Sequence, residues 1–228
     1  MKKPRLLDLF CGAGGAAWGY YRAGFDVTGV DIEPQPHYLF DFYQDDALAW
    51  LDALPHDFPR AYEVIHASPP CQAYVQWNNL NQIKYGSRVE HPDLIAETRK
   101  LLQATRLPYV IENVVGAPLL NPIMLCGSHF GLGVRRHRLF ESNVLLLREP
   151  GCRHNGNELA VYGKLDGRRV WTRADGSEVR IASSLQQAQE AMGIDWMMWD
   201  DLREAIPPAY TEFIGHQLMQ HVRAGAAA

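Results

Sequence analysis

The 228-residue chain lacks any CxxC pair: its four cysteines, Cys11, Cys71, Cys126 and Cys152, are scattered. That spacing argues against the disulfide framework of a small secreted domain. No apolar run approaches the roughly 18–20 residues that a membrane span needs, so no membrane is expected as a partner. The opening MKKPRLLDLF places Asp8 within its apolar stretch, and no small-residue cleavage site follows. A signal peptide is therefore not expected, and the protein reads as cytoplasmic. There is no internal repeat, and the only biased stretch is the AGAAA tail at 224–228, expected to fray. Nothing suggests a coiled coil or a dimer face, so a monomer is expected. No excess of one sign of charge is present either, with 22 Lys/Arg against 26 Asp/Glu and a formal net charge of -4. That figure alone argues against nucleic acid.

The distribution of charge says something else. Residues 135–180 hold ten Lys/Arg against six Asp/Glu, whereas 1–134 hold ten against fourteen and 181–228 two against six. A basic segment in an acidic protein suits local phosphate contact, and equally a solvated surface hairpin.

What is present is an alternation of strands and helices. Arg5 to Phe10 reads as a buried strand, followed by CGAGG at 11–15 and a helix from Ala16 to Ala23 that Gly24 ends. Phe25 to Val30 is a second strand, ending at Asp31. Strand, glycine-rich turn, helix, strand and acid form the layout of a nucleotide-binding unit. Tyr62 to Ala67 is a further strand leading into SPPCQ at 68–72. Ala73 to Val89 reads as a long functional loop, Pro92 to Thr105 as a helix and Pro108 to Glu112 as a buried strand. Such alternation implies a mostly parallel sheet. After Phe140 the chain turns polar and Gly/Arg-rich, with β-like pieces at 159–163 and 168–172 and tight turns at the two DG pairs. A helix capped by Ser184 and a last helix from Pro208 to Val222 follow.

Three segments carry chemistry. Glycines after a strand let a ligand approach the backbone and a helix N-terminus; a plain tight turn is the alternative. Asp31 is placed to bind ribose hydroxyls and Asp46 to face an adenine amino group, unless each merely caps or lies on the surface. Cys71, on a turn stiffened by two prolines at a strand's carboxyl end, is a candidate nucleophile or a buried inert thiol. Glu112 ends a strand of the same sheet and is placed to hold N3 and the exocyclic amine of a cytosine ring, or else merely anchors a helix or loop.

DLFCGAGG at 8–15, SPPCQ at 68–72, ENV at 112–114 and RRHRLF at 135–140, in this order, resemble the motif set of the DNA cytosine-5 methyltransferases. The resemblance covers about 1–141 and 205–222. It implies a doubly wound, Rossmann-like α/β sheet that binds S-adenosylmethionine, formed by residues 1–141 and 196–228. A small, mostly β, basic target-recognition insert at 142–195 would meet double-stranded DNA. It also implies catalytic roles for Cys71, Glu112, Arg136 and Arg138. Cofactor contacts fall on Phe10, Cys11, Gly12, Ala13, Gly14, Gly15, Asp31, Ile32, Asp46, Ala47, Pro69, Gly215 and His216. Substrate contacts fall on Pro70, Gln72, Asn113, Arg88, Arg168 and Arg169, with Gln76, Asn78 and Asn79 on the long loop. That loop would close over a base flipped out of the duplex.

Two positions depart from the family pattern. The glutamine that precedes the paired arginines is Val134 here, and the C-terminal Gly-Asn is matched to Gly215-His216. His216 reads either as a packing histidine or as tuned to an altered sulfonium donor. RNA-directed relatives acting on tRNA share the Pro-Cys and ENV motifs and are the rival reading. A catalytically silent DNA-binding derivative is disfavoured by the intact Cys71 and Glu112. Cys126-x-x-His129 with Cys152-x-His154 makes a four-ligand zinc set on paper. Its spacing is unusual, LCGSHFGL resembles a structural stretch, and no metal is expected. Trp196, Met197, Met198 and Trp199 are expected to pack at an interdomain seam.

Overall fold

The computed structural model describes residues 2–53, 61–72, 74, 93–148, 150–165, 170–172 and 178–226. Its main sheet has seven strands: β1 (Arg5–Leu9), β2 (Asp26–Asp31), β3 (Asp41–Gln44), β4 (Val64–Ala67), β5 (Tyr109–Asn113), β6 (Ile123–Leu125) and β7 (Arg138–Ser142). Their order is β3-β2-β1-β4-β5-β7-β6, with β1 to β5 paired in parallel and β7 antiparallel to both its neighbours. The strands reverse direction of growth between β1 and β4. Such a switch point is where open α/β sheets bind ligands at their carboxyl ends. The expected doubly wound α/β sheet is present. β3 and the short helix α2 (Ala47–Asp52) lay outside the sequence reading, because β3 is mostly exposed and its DFYQ carries no run of apolar residues.

Helix α1 (Gly15–Arg22) follows the glycine turn, and α3 (Ile95–Thr105) precedes β5. α1 packs against the last helix, α6 (Pro208–Ala226), at backbone distance. A Cβ on Gly19 would sit 2.1 Å from the Thr211 hydroxyl. Tyr20, Phe25, Phe140, Tyr210 and Ile214 fill the core on that face. The opposite face buries Leu7, Ile65, Leu102 and Ile111 under α2 and α3. Central strands β4 and β5 are buried along their whole length, as parallel strands covered on both faces must be.

A second sheet joins β8 (Leu159–Ala160), β10 (Glu178–Ile181) and β9 (Val170–Thr172) in that order. It is followed by α4 (Leu185–Met192), whose N-cap Ser184 accepts from Gln187 N as expected, and by α5 (Trp199–Leu202). Residues 143–147 attach to the main sheet and the last helix: Asn143 bonds the backbone of Leu107 and Tyr109, and Leu147 N donates to Gln217. Among the seam residues, Met197 is buried, but Met198 is 56 % exposed. Trp196 Nε1 donates to Ala13 O and Trp199 Nε1 to Gly163 O, so each indole joins two parts of the chain. No helix among the described residues is long and apolar enough to cross a membrane.

Candidate functional site

The glycine turn builds the first half of the site. Phe10 leaves β1 at φ 55, a left-handed value that a non-glycine side chain resists. Gly12 and Gly14 follow at φ 48 and 86. Nothing lies within 4 Å of where a Gly12 Cβ would stand, so the turn opens onto free space. Gly14 is the N-cap of α1 and offers no side-chain acceptor, leaving the first N–H groups of the helix to an outside anion. Asp31 holds the turn: its Oδ2 accepts from Gly12 N at 2.9 Å and its Oδ1 from Glu33 N at 3.0 Å. Ile32, beside it, is 62 % exposed. An acid and a bare apolar side chain at the end of β2, next to an uncapped helix start, fit a ligand with an anionic group, a ribose and a flat ring.

Several expected contacts have other partners. Asp46 is the N-cap of α2, its Oδ1 accepting from Leu48 N and Ala49 N, while Ala47 is buried behind it. Cys11 and Ala13 are buried, and burial beside Asp8 and Asp31 pushes the Cys11 thiol far up, so only their backbone faces the turn. Gly215 and His216, expected at the cofactor, lie away from the glycine turn. Gly215 packs on Ala23 and Tyr20 at the far end of α1, where a Cβ would meet Ala23 at 2.6 Å, and His216 is exposed. The chain returns to the turn at Ala205-Ile206 instead, because a Cβ on Gly15 would lie 2.5 Å from Ile206 O. The sequence signal was Pro207-Pro208: proline at a helix start marks the entry of α6.

The second half lies at the carboxyl ends of β4 and β5. Pro69 is buried and its carbonyl accepts from Asn113 Nδ2 at 2.8 Å, while Asn113 Oδ1 accepts from Val114 N. Asn113, expected on the substrate, is 1 % exposed and instead clamps the proline turn to β5. That clamp and the Tyr74 N to Cys71 O turn hold Cys71, which is partly exposed beside Pro70, while Gln72 is exposed. Burial pushes the Cys71 thiol up, the Arg138 cation pulls it back and Glu112 raises it again. These groups therefore share one electrostatic neighbourhood.

Glu112 is 5 % exposed and its carboxyl is pushed up by burial, against the pull of Arg138 and Arg136. Arg138 Nε stands 3.0 Å from Glu112 Oε1 without hydrogen-bond alignment, so that buried oxygen keeps a lone pair for a ligand. Arg136, expected beside Arg138 in catalysis, has two of its nitrogens bonded elsewhere: Nη1 donates to Val161 O and Nη2 to Arg203 O, while its own carbonyl accepts from Tyr210. Buried at 7 % exposure, it brackets the insert to the approach of α6. Arg88, Arg168 and Arg169, with Gln76, Asn78 and Asn79, lie outside the described residues.

Sequence reasoning missed a polar chain beneath Glu112. Tyr20 Oη bonds His66 Nδ1 at 2.9 Å, and His66 Nε2 bonds Ser68 Oγ at 2.9 Å. Ser68 in turn lies beside the Glu112 carboxyl and lowers it. Burial holds His66 down to about 3, so it is neutral. With the phenol donating to Nδ1, the Nε2 proton points to Ser68. A histidine inside the apolar strand YEVIHA was the available signal.

Residues 4–118 match the model of the family described as C-5 cytosine-specific DNA methylase. The Type II methyltransferase M1.HphI of Haemophilus parahaemolyticus is 31% identical over 121 residues, covering 47% of this chain and 32% of that protein. A putative type II methyltransferase of Methanocaldococcus jannaschii, M.MJ0563P, is 29% identical over 84 residues, covering 33% and 27%. The chain thus spans about a third of the length of these relatives. In fold it is similar to a putative DNA modification methyltransferase encoded within an E. coli prophage, with TM-score 0.58, 14% identity and coverage of 95% and 99%. It is likewise similar to the S. pombe Dnmt2 methyltransferase, with TM-score 0.54, 13% identity and coverage of 97% and 99%.

Proposed function

Because the chain belongs to the C-5 cytosine-specific DNA methylase family, we propose that it methylates carbon 5 of a cytosine flipped out of duplex DNA, through a covalent bond from Cys71 to carbon 6. The observation that carries this reading is the meeting of Cys71, Glu112 and Arg138 at the ends of β4, β5 and β7, with the open glycine turn on neighbouring β1. S-adenosylmethionine, the family's methyl donor, supplies an electrophilic methyl group on a sulfonium.

The uncapped start of α1 and the Gly12 backbone suit its carboxylate, and Asp31 with Ile32 suits its ribose and adenine. Carbon 5 of cytosine is a weak nucleophile. The Cys71 thiolate adds its electron pair to carbon 6, and protonated Glu112 donates to N3, so the ring electrons collect as an enamine at carbon 5. Arg138 favours the thiolate and the electron-rich ring. After carbon 5 takes the methyl group, its proton leaves to a base in the cleft and the carbon–sulfur bond breaks, returning the electron pair to Cys71. A stacked base cannot meet either group, so the nucleotide must leave the duplex.

The test is transfer of labelled methyl groups to mixed-sequence duplex DNA and to total tRNA, with nucleoside analysis of the product. The expected result is 5-methylcytosine in DNA, none in tRNA, and none from Cys71→Ala. Label in tRNA alone overturns the substrate, and a Cys71→Ala variant active at the wild-type rate overturns the covalent step.

A further inference from the structure

On the far side of the arginine pair, four ligand-type side chains from three segments converge. We propose that Cys126, His137, Cys152 and His154 bind one zinc ion that staples the insert to the catalytic sheet. Their ligand atoms all lie within 4.8 Å of one another, and no other such cluster occurs among the described residues. Two of the three closest distances match the edges of a tetrahedral S2N2 shell, and the third exceeds its edge by a few tenths of an ångström. With bonds of about 2.3 Å to sulfur and about 2.0 Å to nitrogen, the edges of such a tetrahedron are about 3.3 Å between nitrogens and about 3.5 Å between nitrogen and sulfur. Here His154 Nε2 to His137 Nε2 is 3.3 Å, His137 Nε2 to Cys152 Sγ is 3.4 Å, and His154 Nε2 to Cys126 Sγ is 3.9 Å. The two rings stand 81° apart, presenting Nε2 edges to a common point. Two thiolates and two imidazoles, with no open carboxylate, select zinc over hard cations, and four protein ligands make the site structural.

The surroundings hold the ligands in place. Cys126 caps the 3-10 turn Gly127–His129, and its sulfur accepts the backbone N–H of His129. Ser128 Oγ accepts from Arg153 N, tying this turn to the Cys152-Arg153-His154 segment. Glu158 Oε1 lies 3.7 Å from His154 Nδ1, the outer position from which a carboxylate orients a metal-bound ring. The ligand set differs from the one on paper at a single residue. His129 turns its Nδ1 to Cys126 N at 3.3 Å and so belongs to the cap. His137, between Arg136 and Arg138, takes its place. The ion would therefore lock the start of β7, and with it the backbone carrying Arg138, to the root of the insert.

The full chain, purified from zinc-supplemented cells under reducing conditions, should carry about one zinc ion per molecule by elemental mass spectrometry. Replacement by cobalt(II) should give the visible bands of a tetrahedral ion with thiolate-to-metal charge transfer, a readout independent of methyl transfer. Cys152→Ser and His137→Asn should lose at least nine-tenths of the bound zinc. His129→Asn, whose amide oxygen can still accept from Cys126 N, should keep it. Chelation should lower the wild-type Tm by about 10 °C or more, as for other structural zinc ions. A wild-type chain that takes up neither ion, or a Cys126–Cys152 disulfide in its place, overturns the proposal. So does a chain that loses zinc on His129→Asn and keeps it on His137→Asn.

Discussion

The strand pair β5–β7 carries an arginine–glutamate pair on each of its two faces, and the two are built for opposite ends. On one face Arg99 grips Glu141 through Nε at 2.7 Å and Nη2 at 2.8 Å, and Leu120 N adds a third bond at 2.7 Å. Every bond that carboxylate needs is supplied, which is how a buried charge becomes structural. On the other face Arg138 stands 3.0 Å from Glu112 but out of hydrogen-bond line, and one buried carboxyl oxygen keeps its capacity. Register explains how neighbours diverge: Ile111 pairs with Glu141 and Glu112 with Phe140, so one step along the strand changes face. An acid that is fully bonded supports a fold, whereas one left short of a partner at a cleft can take a substrate.

The sharpest way to break this contrast is Glu112→Gln. Methyl transfer should fall by about 10²–10⁴-fold, the range of a lost general acid, while Tm stays close to wild type. A large fall in Tm with kcat preserved would make Glu112 a structural residue like Glu141. The converse substitution, Glu141→Gln, should cost about 1–3 kcal/mol in denaturant unfolding, because it leaves the half-buried Arg99 guanidinium without its counter-charge. Its kcat, measured well below the transition, should hold within a few-fold. Next in size is the influence of Arg138 on Cys71. The cation pulls the thiol down, so Arg138→Gln should raise it and shrink the thiolate fraction at any pH below it. Alkylation of Cys71 by iodoacetamide at pH 8 should slow by roughly 3- to 10-fold and converge with wild type as pH rises. Equal rates at pH 8 would separate Arg138 from the nucleophile.

The two faces were unequally legible in the sequence. The glycine turn, the Pro-Cys turn and Glu112 could be read because each sits where a buried strand ends, and a strand of apolar residues announces its own ending. The arginines could not be sorted: adjacent in RRHR, Arg136 ties the insert through Val161 and Arg203 while Arg138 faces Glu112. Which one faces the cleft depends on strand register, and register depends on pairing between distant segments. Gly215-His216 shows a related point. Two residues of α6 match a pattern by type, while the backbone that touches the turn is Ala205-Ile206, before the helix begins. His137 lay hidden inside the arginine motif, so Cys126 was paired on spacing with the nearer His129.

The smallest predicted effect tests whether the chain from Tyr20 through His66 and Ser68 serves the Glu112 face alone. Ser68 lies beside the Glu112 carboxyl and holds it lower than burial alone would. Ser68→Ala removes that influence, and the Glu112 carboxyl should rise further. Protonated Glu112 is the form that donates to N3, so a higher value keeps it productive to higher pH. The falling limb of kcat that belongs to Glu112 should therefore move toward alkaline pH, by less than about one unit. Glu141→Gln, on the opposite face and outside this chain of bonds, should leave that limb where it is. A shift in both variants would mean that the strand pair responds as one body. A shift toward acid in Ser68→Ala would mean that the hydroxyl stabilises the neutral carboxyl instead, and the direction of donation along the whole chain would have to be reversed.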